Sequence, residues 1–286
     1  MKGKTMKTNK SWLMVFAAVA ALTTSQTVRG ITFGQPDGNL HPSVGAWMVN
    51  WPDGTRTLFG SGTLIQKITH RDGSATGIFL TAGHITADIQ SAIAEGWAEM
   101  DFIKINFNPD PVPHPEQDIR VVEVFSFLVR RSDLSAWDDV GIAVLKVKKA
   151  KDLPEPATLA PIGFLDQFKL SELHDSSLVV VGYGATLLGP PAELVYEDKR
   201  QFSTPKYQNC SDTVISLQVN GPAGNSGWAM SDSGGPLFWK DPQTGAEYII
   251  GMNYGANSMN FNSINYSYRT DTQFVHDFIQ AVIDGL

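Results

Sequence analysis

The sequence predicts an all-β chain in two halves, closed by one C-terminal helix. Three observations carry this: the apolar segments are short and rich in Val and Ile, turn residues separate them, and helical periodicity appears at the C-terminal end. In chain order, strands are expected at Val44 to Val49, Ser61 to Ile65, Gly77 to Thr81, Val121 to Val129 and Val140 to Val147. A second set is expected at Leu178 to Tyr183, Val214 to Val219, Pro236 to Trp239 and Tyr248 to Met252. Pro52-Asp53-Gly54 and Arg71-Asp72-Gly73-Ser74 are turn signals, because Gly tolerates positive φ and Asp bonds back to its own backbone. At the C-terminus Phe274, Phe278 and Val282 fall four apart with Val275, Ile279 and Ile283 beside them, which makes one apolar helix face. Asp271 or Thr272 is placed to cap that helix. Lys151 to Pro161, with Pro154, Pro156 and Pro161, reads as the linker between halves 31–150 and 162–286.

The N-terminus has lysines at positions 2, 4, 7 and 10, then an apolar run from Trp12 to Leu22 and a polar stretch ending in small residues. That is the layout of a signal peptide, here residues 1–30 with room for a short propeptide. The run is shorter than the roughly 20 apolar residues of a membrane-spanning helix, so no membrane attachment is expected after its removal. The leader takes five basic and no acidic residues with it, which turns a formal charge of −7 into −12. An acidic mature chain repels phosphate backbones, so nucleic acid is not an expected partner. Cys210 is the single cysteine, which excludes an internal disulfide and leaves core packing to hold the exported protein together. It reads as a small buried apolar residue.

Three local patterns carry chemistry. Phe79-Leu80-Thr81-Ala82-Gly83-His84 is an apolar strand ending on a histidine among small residues, and Asp138-Asp139 stands at the mouth of the apolar run Val140 to Leu145. Taken singly, each also fits a structural histidine or solvated turn acids. In Ser231-Asp232-Ser233-Gly234-Gly235-Pro236-Leu237 two glycines clear space around a serine hydroxyl and allow backbone N–H groups to converge on one point. A nucleophilic serine needs that open, donor-rich setting.

In this order the three blocks resemble those of the chymotrypsin/trypsin-like serine peptidases. Ile31-Thr32-Phe33-Gly34 resembles the family's mature N-terminus, Gly60 to Ile65 its strand before the histidine, Val181-Gly182-Tyr183-Gly184 its mid-domain strand and Gly251-Met252-Asn253-Tyr254-Gly255 its substrate strand. The resemblance implies two packed six-stranded antiparallel β-barrels, the first carrying His84 and Asp139 and the second Ser233. It implies a secreted monomeric endopeptidase acting on protein or peptide, without cofactor or metal. His84 would be the base, Asp139 its orienting group and Asp138 a solvated neighbour, with the N–H groups of Ser231 and Ser233 as oxyanion hole. Asp232 would receive the ammonium of Ile31. Gly227 would form the base of the primary pocket, with Ser226 and Trp228 beside it, and Asn253, Tyr254 and Gly255 would line the substrate strand. No acid stands near Gly227, so neutral or apolar side chains are the expected preference. Two departures matter: the family has Gly where Ser231 stands and Ser-Trp-Gly where Asn253-Tyr254-Gly255 stands, with Asn253 still able to donate to Asp139.

A catalytically impaired protease-like binding module is the alternative that Ser231 keeps open. An α/β-hydrolase would require Gly-x-Ser-x-Gly with acid and His following, and a zincin His-Glu-x-x-His; neither pattern occurs.

Overall fold

A computed structural model describes residues 34–130, 137–188, 193–220, 226–257 and 262–286. The expected signal peptide, residues 1–30, and Ile31 lie outside these residues. In the first half the strands are β1 (Gln35–Pro36), β2 (Val44–Asn50), β3 (Arg56–Thr69), β4 (Ala75–Thr81), β5 (Ile103–Asn106), β6 (Ile119–Arg130) and β7 (Trp137–Val147). They continue with β8 (Thr158–Leu159), β9 (Ser177–Gly182), β10 (Thr186–Leu188), β11 (Glu193–Val195), β12 (Gln201–Ser203) and β13 (Lys206–Cys210). The last four are β14 (Val214–Asn220), β15 (Pro236–Lys240), β16 (Glu247–Ala256) and β17 (Asn262–Arg269). The helices are α1 (Gly83–Ala94), α2 (Leu170–His174) and α3 (Gln273–Asp284). None of them is long and apolar enough to cross a membrane.

The fold is the all-β architecture expected. Strands β2-β3-β4-β7-β6-β5 close into a six-stranded barrel. The second half is a curled nine-stranded sheet, ordered β1-β12-β9-β15-β16-β17-β14-β13 with β8 pairing β16 off this path. All nine expected strands form, most of them longer than their apolar stretch. Val140, Ile142 and Val144 on β7 are fully buried, as are Ala143 and Leu145 between them, so the strand is apolar on both faces. Leu64, Ile78, Phe79, Leu80, Ile105 and Val121 fill the first barrel with them. Leu178, Val180, Ile215, Leu217, Leu237, Trp239 and Ile250 form the second core. Val44, Ala46 and Met48 meet Val179, Val181, Tyr183 and Phe238 between the halves. The Pro-rich segment 151–161 is pinned to both: Ala157 N–H donates to Leu64 O at 2.9 Å and Ala160 N–H to Ile249 O at 3.0 Å.

Helix α3 packs Val275, Ile279 and Val282 onto the first-barrel core, with the Phe127 and Phe274 rings 4.6 Å apart. Thr272 caps it, its side chain accepting Val275 N–H at 3.3 Å. Asp271 serves elsewhere, paired with the Arg269 guanidinium at 2.9 Å and accepting Leu165 N–H at 2.7 Å. Helix α1 was not expected. Its apolar face is legible as Ile85, Ile89 and Ile93 at four-residue spacing, but it follows β4 directly and Ala82 at its N-cap offers no capping side chain.

Charged groups replace the staples that disulfides would supply. Arg56 donates from Nε to Asn50 Oδ1 at 2.9 Å, from Nη1 to the carbonyls of Pro111 and Val112, and from Nη2 to both Asp118 oxygens at 2.6 and 2.8 Å. One guanidinium thus gathers the whole loop between β5 and β6. At the chain's entry, fully buried Arg200 meets Asp37 at 2.7 Å, and Asp37 also holds His41 Nδ1, whose Nε2 lies 3.2 Å from Glu247. Cys210 is half-buried rather than buried, and burial pushes its thiol up to about 11.

Burial alone would lower the His41 pKa, but the hydrogen bonds and charges of Asp37 and Glu247 raise it to about 9. A histidine raised above its unfolded value of about 6.5 contributes its full stabilisation below that pH and loses it as pH rises through about 9. The thermal midpoint should therefore fall over this window, and the fall should be absent in His41→Gln. An equal alkaline fall in both proteins would contradict the assignment.

Candidate active site

Strand β4 runs into α1 through Ala82 and Gly83, which sets His84 at the start of the helix. Gly83 is required there: a Cβ would lie 2.6 Å from Phe127 O and 2.8 Å from Val140 N and O. Asp139, 3% exposed on β7, grips His84 at two points. One oxygen accepts the His84 backbone N–H at 2.8 Å and the other meets Nδ1 at 2.8 Å. An ionised carboxylate only accepts, so this contact puts the proton on Nδ1 and leaves Nε2 as a lone-pair base. Burial pulls the imidazole pKa down, but the hydrogen bond and charge of Asp139, with Asp88 adding to them, outweigh it and hold it above the ordinary histidine value. Asp138 is not the solvated neighbour expected: it accepts the Tyr268 hydroxyl at 2.8 Å.

The serine loop is held by its carbonyls. Met230 O accepts Ala185 N–H at 2.7 Å, Asp232 O accepts Gly235 N–H at 3.0 Å, and Ser233 O accepts Ser61 N–H at 2.9 Å. Gly234 N–H donates to Asn253 O at 2.8 Å and Asn253 N–H to Gly235 O at 2.9 Å. The N–H groups of Ser231 and Ser233 donate to no acceptor among the described residues. Gly234 has φ of +82°, and a Cβ on it would strike Thr81 Oγ1 at 2.1 Å and reach Ala82 N at 3.0 Å. That close approach brings the serine loop against the end of the His84 strand. Gly60 lies at the same approach: a Cβ on it would come within 2.9 Å of Ile85 Cδ1 and 3.5 Å of Ser233 O. No hydrogen bond joins Ser233 Oγ to the imidazole among the described residues, a bond that in free enzymes is often long and tightens with substrate.

Ser61 was read only as part of a strand, yet it is the junction of the site. Besides holding Ser233 O, its carbonyl accepts Thr81 Oγ1 at 2.8 Å, and its hydroxyl accepts Tyr183 N–H at 3.1 Å and donates to Ser231 O at 3.4 Å. Asp232 is fully buried and accepts Gly184 N–H at 2.7 Å and Ala229 N–H at 2.9 Å. Side chains on Gly182 or Gly184 would overlap it. Burial, only partly offset by those two N–H groups, raises its pKa to about 7, and no cation pairs with it among the described residues.

Asn253 is fully buried and its Oδ1 accepts Ser267 Oγ at 3.0 Å, while Nδ2 has no partner. The expected donation from Asn253 to Asp139 is not made. Tyr254 lies close enough to Asp139 that burial and this negative charge raise its phenol to about 12. Gly255 has open space where a Cβ would be, whereas a Cβ on Gly227 would meet both Asn265 Oδ1 and Val219 Cγ2 at 2.3 Å. Asn265 is 1% exposed with Oδ1 unpartnered, and sequence reasoning had no signal for it. Ser226 Oγ accepts Thr204 N–H at 3.2 Å, and Trp228 is buried in the second core.

Ser231 has φ of +68°, the left-handed region that costs a non-glycine residue about 1–2 kcal/mol. Against the backbone entropy of a new glycine, about 0.5–1 kcal/mol, Ser231→Gly should be stabilised by up to about 1.5 kcal/mol in urea unfolding. A destabilised variant would contradict strain at this position. The family model described as Trypsin matches residues 45–279, and no curated protein matches the chain.

Proposed function

Because the chain belongs to the trypsin family of serine proteases, we propose that it is an exported endopeptidase in which Ser233 attacks the scissile carbonyl and His84 takes the serine proton. The observation that supports this reading is the two-point hold of Asp139 on His84, which occupies Nδ1 and leaves Nε2 as the ring nitrogen available to act as a base. The serine hydroxyl adds to the carbonyl carbon as its proton passes to His84. The tetrahedral oxyanion is received by the Ser231 and Ser233 N–H groups, His84 protonates the leaving amine, and water then hydrolyses the acyl-enzyme by the same route. Each oxyanion donor is worth roughly 3–4 kcal/mol in such reactions. Asp139 supports the imidazolium through its contact with Nδ1.

For the primary pocket the support lies in Gly227 and Gly255. If Gly227 and Gly255 line the primary pocket, open space at Gly255 gives it an open mouth, and Asn265 Oδ1, close to where a Gly227 side chain would stand, gives it an uncharged floor. Small neutral side chains fit that shape, and a buried Lys or Arg would have no carboxylate to meet. For maturation the support is Asp232, whose buried carboxylate with a pKa of about 7 calls for a cation. The ammonium of Ile31, freed when residues 1–30 are removed on export, supplies one and locks the oxyanion loop. The leader layout of Lys2 to Leu22 supports secretion to the periplasm or medium.

One preparation tests these points together: the secreted active protein is sequenced from its N-terminus and used to digest a peptide library. The expected start is Ile31, with cleavage after small neutral residues and none by Ser233→Ala. A fully active form starting earlier would remove the Ile31 to Asp232 pairing. Preference for Lys or Arg would overturn the pocket, and unchanged digestion by Ser233→Ala the nucleophile.

A further inference from the structure

We propose that the outer face of the first barrel, across β4, β7 and the start of β6, binds an acidic peptide segment. Lys146 on β7 stands between Thr76 on β4 and Arg120 on β6, so two cations sit directly opposite each other on neighbouring strands. Lys148 follows just past the end of β7. A cavity of about 480 Å³ is lined by Arg120, Lys146 and Lys148 together with His70, and no acid lines it. An adjoining cavity of about 520 Å³ shares the same three cations. Of the acids there, Asp118 is taken up by Arg56 and Glu116 by His114, leaving Asp152.

Like charges directly opposite each other on neighbouring strands repel, so the Arg120 and Lys146 pair costs stability when nothing covers it. Arg120 has Asp101 at 3.1 Å, on an exposed rim. Lys146 and Lys148 have no acidic partner within salt-bridge distance among the described residues. In a chain of net charge −7 such a patch is a local exception, and its field favours a ligand with a few carboxylates over a polyanion that the rest of the surface repels. The cavity volume lies within the range of ligand-binding clefts. Lys146 stands seven residues along β7 from Asp139, roughly 23 Å at about 3.3 Å per residue, so the patch is separate from the catalytic cleft. A protein held there by an acidic segment is presented to the cleft at raised effective concentration.

The test is fluorescence anisotropy of a fluorescein-labelled hexaglutamate peptide titrated with the Ser233→Ala protein. Saturable binding is expected, falling steeply between about 0.1 M and about 1 M salt as the screening length drops from about 10 Å to about 3 Å. The Lys146→Glu/Lys148→Glu protein should bind at least about tenfold more weakly with a thermal midpoint unchanged or raised, because both positions are exposed and a carboxylate at position 146 would face Arg120 without repulsion. Should that protein melt early, Lys146→Gln/Lys148→Gln replaces it with the same expectation in direction. Absence of saturable binding, equal binding by a folded variant, or capture of a sulfated polysaccharide in place of the peptide would each overturn the proposal.

Discussion

Everything at this site depends on how one strand of the first barrel is stitched to one loop of the second, and Ser61 is the stitch. Its N–H fixes Ser233 O and its carbonyl fixes Thr81, three residues before His84, while its hydroxyl ties Tyr183 to the Ser231 carbonyl. The proposed nucleophile and base, on separate halves, need a shared reference point, since an error of an ångström between them is costly in rate. Glycines permit the approach. At Gly234 a side chain would strike Thr81 Oγ1 and Ser61 O, so at this point the serine loop meets the first barrel without a side chain of its own between them.

Two buried aspartates then play opposite electrostatic parts. Asp139 is nearly inaccessible but has an imidazole and an N–H to receive its charge. Asp232 is more deeply buried and has only two backbone N–H groups, which do not repay the loss of water, so it sits with a pKa of about 7. A loop built around such a carboxylate is sensitive to whether a cation arrives. Ser231, held at positive φ two residues before Ser233, places a second source of tension in that loop. Both features bear on the proposed oxyanion donors, and both lie within a segment whose carbonyls are held by Ala185, β3 and β16.

Much of this was legible in the sequence because it is local. Val- and Ile-rich segments became strands, Gly54 and Gly73 took the positive φ that their turns require, and the four-residue apolar spacing after Thr272 became α3. What escaped is long-range. The Tyr268 bond to Asp138 joins residues 130 apart and the Ser61 contact with Ser231 spans 170, and no window of sequence carries such a pairing. The unmade Asn253 to Asp139 bond has the same origin, since Ser267 on the neighbouring strand takes the Asn253 oxygen and turns the carboxamide to other use. Asn265 was invisible because its meaning lies only in its contact with Gly227 across the second half.

The central claim is that Ser233 is a nucleophile activated by an Asp139-held His84. The pH dependence of covalent labelling by a fluorophosphonate, with the modified residue identified by mass spectrometry, measures it directly. The account predicts a single label on Ser233, with a rate that falls toward acid as His84 is protonated and a midpoint above the ordinary histidine value of about 6.5. A label elsewhere, no label at any pH, or a rate on Ser233 that stays level through the histidine range would contradict it.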